Sequence, residues 1–431
     1  MGRLFGTDGV RGVANVDLTP ELAFRLGRAG AAALGGAHGR RAPIVIGRDT
    51  RLSGTMLEAA LVAGIASTGY DAISVGVVPT PAVARIVVET GAAAGAMISA
   101  SHNPIEDNGI KFFGPDGFKL DDATEARVEA LLADEAAIPR PSHGDVGIAR
   151  IDHTLGERYV ASLVRAGDDL SALTLVVDAA FGAAYLAGPR AFAELGATVV
   201  PLHAEDDGAR INVRCGSTDT NVLAQTVRER AASDARAHVL GVAFDGDADR
   251  ALFVDETGAL LTGDHVMMIL ARDKARRGTL AGDTVVGTVM SNIGLERALA
   301  HDGIRLARAA VGDRYVLEAM RAGDYRFGGE QSGHIIDLDF NTTGDGPMTA
   351  VRLFSLVASS GARLHDLAAR LHVAPQILVN VRTPKKEVLG DDAVIAAIAR
   401  AERELAGTGR ILVRASGTEP LIRVMIEGDD R

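Results

Sequence analysis

Three stretches of the chain repeat one alternation of apolar and polar positions. Each opens with a short β-branched run, passes through a turn of small and charged residues, continues in an alanine- or leucine-rich segment of helical period, and ends in a second apolar run. In the first, PIVIGRDTR leads into a helix over about Gly54 to Thr68 and then DAISVGVVPTP. In the second, LTLVVDAAFG precedes a helix around Tyr185 to Leu195 and then ATVVPLH; in the third, DTVVGTVMSN precedes a helix around Gly294 to His301 and then IRLARAAVGDRY. The pattern predicts parallel strands covered on both faces by helices. Such sheets collect ligands at the carboxyl ends of their strands, where the turns GRDTR, DAAFG and MSNIG fall.

The last segment has a different rhythm. QILVNVRTP, a helix around Asp391 to Leu405, RILVRASGT and LIRVMIEG read as strand, helix, strand, strand, a small α+β unit. Pro139 to Gly147 is a proline- and glycine-bearing stretch that closes a first domain near residue 150. The expected division is 1–150, 151–254 and 255–368, with Leu371 to Ala374 a hinge into 372–431. The fold class is α/β: three similar mixed or parallel α/β domains and a smaller C-terminal α+β domain.

Composition agrees with this picture and narrows the function. A chain of 431 residues exceeds one hydrophobic core, and 47% hydrophobic residues suffice for several. The 50 glycines suit many tight strand-to-helix turns. A net charge of −11 argues against nucleic-acid binding, which needs a basic surface, so an anionic ligand must be captured locally. No apolar run is long enough to span a membrane, and MGRLFGTDGVRG lacks the layout of a signal peptide. A cytoplasmic protein is expected. The single cysteine, Cys215, excludes an intramolecular disulfide and a thiolate zinc cluster, and NVRCGST reads as a loop with a small buried side chain.

Two motifs carry the chemistry. Ser101, in SHNP, stands where a strand should end and a helix begin; the plain alternative is that Ser101 or Asn103 caps that helix. His102, Asn103, Pro104 and the following NGIKFF favour a phosphorylatable serine. A phosphoserine needs cationic partners, which Lys111 and Arg11 can supply. In DGDADR, Asp245, Asp247 and Asp249 alternate, so an extended loop turns their carboxylates to one side, toward a hard cation such as Mg²⁺. An EF-hand would place Glu256 at its twelfth position, but Arg250 replaces the turn glycine and the flanks read as strands. A phosphatase in which Asp245 is itself the phosphorylated nucleophile remains a second reading.

Three further motifs supply binding groups. GGEQSGH, with Glu330, Ser332 and His334, carries groups that bind sugar hydroxyls, and VGDRYV, with Gly312 and Asp313, is expected on the same pocket wall. RASGTEP joins Arg414 to Ser416, Gly417 and Thr418 with Arg423 nearby, a nest suited to phosphate. An ordinary turn remains the alternative for each loop.

Taken in order, FGTDGVRG, SHNP, NGIKFF, DGDADR, VGDRYV, GGEQSGH and RASGTEP resemble the α-D-phosphohexomutase superfamily, and within it the phosphoglucosamine mutase branch. The resemblance runs from Gly6 to Arg423. It implies four domains around a central cleft, a phosphoserine at Ser101 and one Mg²⁺ held by that phosphate with Asp245, Asp247 and Asp249. It further implies Lys111 and Arg11 beside the phosphoserine with Lys111 as acid or base, sugar contacts from Glu330 and Ser332, and distal phosphate binding by Arg414, Ser416, Thr418 and Arg423. The implied reaction interconverts glucosamine 6-phosphate and glucosamine 1-phosphate through glucosamine 1,6-bisphosphate, feeding UDP-N-acetylglucosamine. The expected partner is a sugar phosphate, with a homodimer left open. A phosphomannomutase or phosphoglucomutase, the aspartyl-phosphate enzyme and a non-catalytic sugar-phosphate-binding protein stand as alternatives.

Overall fold

The computed structural model describes residues 4–6, 8–35, 42–233, 238–383, 385–415 and 420–429. Four sheets follow one another along the chain. The first contains β1 (Val10–Val13), β2 (Ile44–Arg48), β3 (Ala72–Val77), β4 (Ala94–Ile98), β5 (Asp107–Phe113) and β6 (Ala149–Ile151), in the order β1-β5-β4-β2-β3-β6. The second contains β7 (Leu173–Asp178), β8 (Thr198–Leu202), β9 (His238–Phe244), β10 (Ala251–Val254) and β11 (Leu260–Leu261), in the order β11-β10-β9-β7-β8. The third contains β12 (Thr284–Thr288), β13 (Arg305–Ala309), β14 (Phe327–Gly329) and β15 (Ile335–Asp337), in the order β13-β12-β14-β15. The fourth is the antiparallel triplet β16 (Gln376–Arg382), β17 (Gly409–Ala415) and β18 (Leu421–Gly428), with β18 central.

Each repeat seen in the sequence is a parallel β–helix–β unit. The helices Gly54–Ala66, Ala187–Glu194 and Ile293–His301 connect the parallel pairs β2/β3, β7/β8 and β12/β13. The sheets are nevertheless mixed. In each of the first three, a strand parallel to the central one is followed by an antiparallel neighbour: β4 by β5, β9 by β10, β14 by β15. The three connections are the SHNP loop, the DGDADR loop and the loop from Glu330 to His334. Three equivalent places in three sheets therefore carry the three principal motifs.

The expected helix after Ser101 does not form. Ser101 has φ of 54°, and the chain turns into β5; Pro104 also biases Asn103 away from helical geometry. The flanks of DGDADR are β9 and β10, and the Glu256 carboxylate is spent on His238 and on the Leu364 and His365 amides, so the EF-hand reading is excluded.

One large apolar core joins the first three sheets. The helix Gly346–Ser360, capped by the Asp345 side chain on the Met348 amide, buries Phe354 edge-on to both Phe192 and Phe253 at 5.7 Å. The small sheet attaches differently. Its buried Glu427 accepts from the Ile293 amide at 3.1 Å, Asn292 Nδ2 at 3.3 Å and Arg410 Nε at 2.6 Å. Polar interfaces of this kind permit relative motion between domains.

Candidate active site

Ser101 sits on a left-handed turn between β4 and β5, almost wholly buried. Its Oγ donates to Asp245 Oδ2 at 2.6 Å and lies 3.2 Å from His102 Nδ1, while its amide donates to Ser99 Oγ. The first and second domains thus meet at a hydroxyl–carboxylate contact between residues far apart in sequence.

Asp245, Asp247 and Asp249 are buried, with an oxygen from each within 4.8 Å of the others. Among the described residues, Asp247 Oδ1 and Asp249 Oδ1 have no hydrogen-bond partner. Burial and mutual repulsion push Asp245 well above the usual carboxylate range and raise Asp249. Burial also opposes ionisation of Asp247, but Lys111 and the Thr80 hydroxyl, 2.6 Å from Oδ2, hold it below that range. Oxygen-only donors, two of them orphaned, and excess negative charge fit a hard divalent cation.

A cationic arc surrounds this group. Burial opposes charge on Lys111, but Asp247, Asp8 and Asp249 outweigh it and push the ammonium up to about 12. Lys111 is buried within β5. Lys119 bridges Asp8 and Asp313 and is likewise held above its ordinary value, the acids outweighing burial. Arg11 pairs with Asp8 and donates to the Ala100 carbonyl and Asn103 Oδ1. Partial burial, with Arg250 and Arg11 nearby, brings the solvent-accessible His102 imidazole down to about 4, so it is neutral at physiological pH.

Ser101, His102, Arg11, Lys119, Asp249, Arg250, Gly312, Asp313, Glu330 and His334 line one cavity of about 390 Å³, a size suited to a small metabolite. Glu330 Oε1 accepts from the Gly312 amide at 3.0 Å. His334 is buried 3.6 Å from Asp313 Oδ2 and 3.8 Å from Asp249 Oδ2, with neither ring nitrogen hydrogen-bonded among the described residues. Ser332 is exposed and is not part of this lining. Arg414 and Arg423 face each other across β17 and β18, also outside the cavity; Ser416, Gly417 and Thr418 lie outside the described residues.

Sequence reasoning missed four contributors. Asp8 lies inside the quoted FGTDGVRG string and Arg51 inside GRDTR, but neither was singled out. Gly9 brings Asp8 in: its φ is +82°, and a Cβ there would meet the Ile110 carbonyl at 2.5 Å. Arg51, wholly buried, pairs with Asp49 and donates to the carbonyls of Ser101, Asn103, Pro104 and Asp107, holding the serine turn from behind. Thr80 and Lys119 carried no local signal, because their partners Asp247 and Asp313 belong to other domains.

Comparison with known proteins covers the whole chain. Models of phosphoglucomutase/phosphomannomutase α/β/α domains I, II and III match residues 2–138, 157–258 and 262–373, and the model of the C-terminal domain matches residues 378–431. The phosphoglucosamine mutase of Pelotomaculum thermopropionicum is 54% identical over 431 residues, 99% of this chain and 95% of its own. That of Desulforamulus reducens is 52% identical over 100% and 96% of the two chains. A crystal structure of a phosphoglucomutase/phosphomannomutase family protein from Burkholderia thailandensis superposes with a TM-score of 0.83 at 25% identity, covering 99% of this chain and 93% of that one. With about half of its residues identical to those relatives from end to end, the chain belongs to the phosphoglucosamine mutase family of the phosphohexomutases and is an isomerase.

Proposed function

We propose that the enzyme interconverts glucosamine 6-phosphate and glucosamine 1-phosphate, with Ser101 as the covalent phosphoryl carrier. The observation that carries this reading is the Ser101 Oγ contact with Asp245 Oδ2 at 2.6 Å, which puts a nucleophilic hydroxyl beside a carboxylate cage. In the forward direction the P–Oγ bond of phosphoserine breaks as a bond forms to O1 of the 6-phosphate. The resulting glucosamine 1,6-bisphosphate turns over, and its 6-phosphoryl group returns to Ser101. His334, with both ring nitrogens unpaired at the cavity wall, takes the proton of the attacking hydroxyl. Lys111, an ammonium at neutral pH, keeps the role of acid, giving a proton to the departing Ser101 oxygen, and with Arg11 it offsets charge on the transferring group.

Asp245, Asp247 and Asp249 would hold Mg²⁺, together with a phosphate oxygen on Ser101. The ion supplies Lewis-acid stabilisation of phosphoryl oxygens. Arg250, Gly312, Asp313, Glu330 and His334 bind the sugar, with Ser332 left as an outer contact. Arg414, Ser416, Gly417, Thr418 and Arg423 clamp the phosphate that is not being transferred. The proposed domains are 1–150, 151–254, 255–368 and 372–431, with the hairpin to β11 carrying the second sheet on to Leu261. The product feeds UDP-N-acetylglucosamine, and an ionic substrate of this kind goes with a cytoplasmic enzyme.

The test has two parts. Peptide mapping of the purified protein should find one phosphoryl group, on Ser101; label on Asp245 would instead support the aspartyl-phosphate reading. The kcat/KM for glucosamine 1-phosphate should exceed that for glucose 1-phosphate by about 10- to 150-fold, because Glu330 has an oxygen beyond its Gly312 bond for a protonated 2-amine. Equal values would favour a phosphoglucomutase.

A further inference from the structure

The DAAFG turn, at the carboxyl end of β7, has no part in the phosphoryl chemistry. Asp178 ends β7, His203 follows β8, and Cys215 lies in the loop between β8 and the helix Asn221–Ser233. A carboxylate oxygen, an imidazole nitrogen and a sulfur from these three residues all fall within 4.8 Å of one another. Asp178 and Cys215 are wholly buried, while the His203 side chain keeps 23% exposure and opens the cluster to solvent.

Two features distinguish the cluster from an ordinary aspartate–histidine pair. His203 Nδ1 lies 3.1 Å from Asp178 Oδ1 without a well-directed hydrogen bond, although the carboxylate still raises the imidazole above its ordinary value. The carboxylate is instead held by backbone: Oδ1 accepts from the Ala180 amide at 2.9 Å and Oδ2 from the Gly216 amide at 3.0 Å. Outer contacts of this type orient metal-ligating carboxylates. The backbone is also unusual. Eleven non-glycine residues among those described have positive φ, and five of them, Ala180, Phe181, His203, Asn212 and Arg214, lie in these turns. Such conformations are disfavoured for residues with a side chain and cluster at functional sites.

We propose that Asp178, His203 and Cys215 form a second cation site, for a divalent ion of the zinc class, separate from the oxygen cage of Asp245, Asp247 and Asp249. The donor set decides the class. One sulfur, one imidazole and one carboxylate, with a fourth position left for water, suit zinc, whereas magnesium prefers oxygen ligands alone. Binding breaks the Cys215 S–H bond, forms a sulfur–metal bond and releases the proton to solvent, with no change of oxidation state. The site is coupled to the catalytic turn. Asn212, on the same loop as Cys215, donates its side-chain amide to the Ser101 carbonyl at 2.8 Å and its backbone amide to the Ala180 carbonyl at 3.0 Å. A cation in the cluster therefore steadies the loop that supports Ser101.

The test uses the full-length protein with magnesium in excess and titrates cobalt(II) as a spectroscopic stand-in for zinc. One equivalent should bind per chain with a thiolate-to-cobalt charge-transfer band, which zinc then displaces. Cys215→Ser should abolish the band, and His203→Gln should weaken binding about tenfold or more. Asp245→Asn should leave the band intact. Retained mutase turnover shows that Cys215→Ser is folded; if it is not, His203→Gln, at a partly exposed position, decides. No charge-transfer band at millimolar cobalt, a band that survives Cys215→Ser, or one lost in Asp245→Asn would each overturn the proposal.

Discussion

The Lys111 ammonium lies 2.6 Å from Asp247 Oδ2, a buried pair between the first domain and the second. The lysine shares its carboxylate with the proposed cation cage, so two positive charges act on one carboxylate, whose Oδ1 has no hydrogen-bond partner among the described residues. Removing one partner of a buried pair leaves an uncompensated charge, and Lys111→Met should cost about 3–5 kcal/mol of stability as well as turnover. Magnesium should then raise the melting temperature of the variant more than that of the wild type. An equal response in both proteins would separate the ion from these carboxylates.

Ser101→Ala should abolish turnover while the protein stays folded, because the hydroxyl is the proposed carrier and the side chain sits on a turn outside the cores. Steady-state kinetics, with circular dichroism as the control for folding, check this. Near-normal turnover in a folded variant would end the covalent scheme.

Arg51 acts on the reaction by positioning. Four carbonyls of the serine turn converge on its guanidinium, a geometry that the lysine ammonium cannot reproduce. Arg51→Lys should lower kcat about a hundredfold through displacement of Ser101, with little change in KM for sugar phosphate. Added guanidinium should restore part of the activity of Arg51→Ala, and a loss confined to KM would contradict the positioning role.

Arg414 and Arg423 stand directly opposite one another on neighbouring strands, and burial together with Arg423 holds the Arg414 guanidinium below its ordinary value. Like charges in that register repel and favour an anion between them. Arg414→Ala should raise KM for sugar phosphate about 10- to 150-fold, and phosphate should raise the melting temperature of the wild type but not of the variant. An unchanged KM would return this pair to a purely structural place in the sheet.

Asp264 gives a pH dependence independent of catalysis. Burial pushes its carboxyl up to about 6, despite the Asn292 amide that it accepts at 2.8 Å. The folded state therefore binds a proton that the unfolded state has released, and stability is lost as pH rises from about 4 through 6. Asp264→Asn should recover about 1–3 kcal/mol at pH 8 and almost nothing at pH 4, as read from denaturant midpoints. A gain of equal size at both pH values would assign the effect to packing.

Local chemistry was legible in the sequence to the extent that it is local. β-branched runs and helical periods located the three β–helix–β units, because strand and helix formation respond to neighbouring side chains. SHNP, DGDADR and GGEQSGH were readable for the same reason: nucleophile, hard ligands and sugar-binding groups each occupy a few adjacent residues. What surrounds Ser101 after the turn was misread, since a strand end followed by small polar residues precedes a helix or a second strand with the same composition. The choice depended on the antiparallel place that β5 fills beside β4 and β1.

Convergence was decided only by the tertiary structure. Thr80 reaches Asp247, Lys119 reaches Asp313 and Arg51 gathers the serine turn, although none of these pairings leaves a trace in spacing along the chain. The sequence by itself determined which groups exist and which strands and helices carry them. Strand order determined that three loops at equivalent positions in three sheets face one cavity, because hydrogen-bonded pairing and a shared apolar core join segments irrespective of their separation in sequence. The same reason hid the Asp178, His203 and Cys215 cluster, which exists only because β7 and β8 pair in parallel and end side by side.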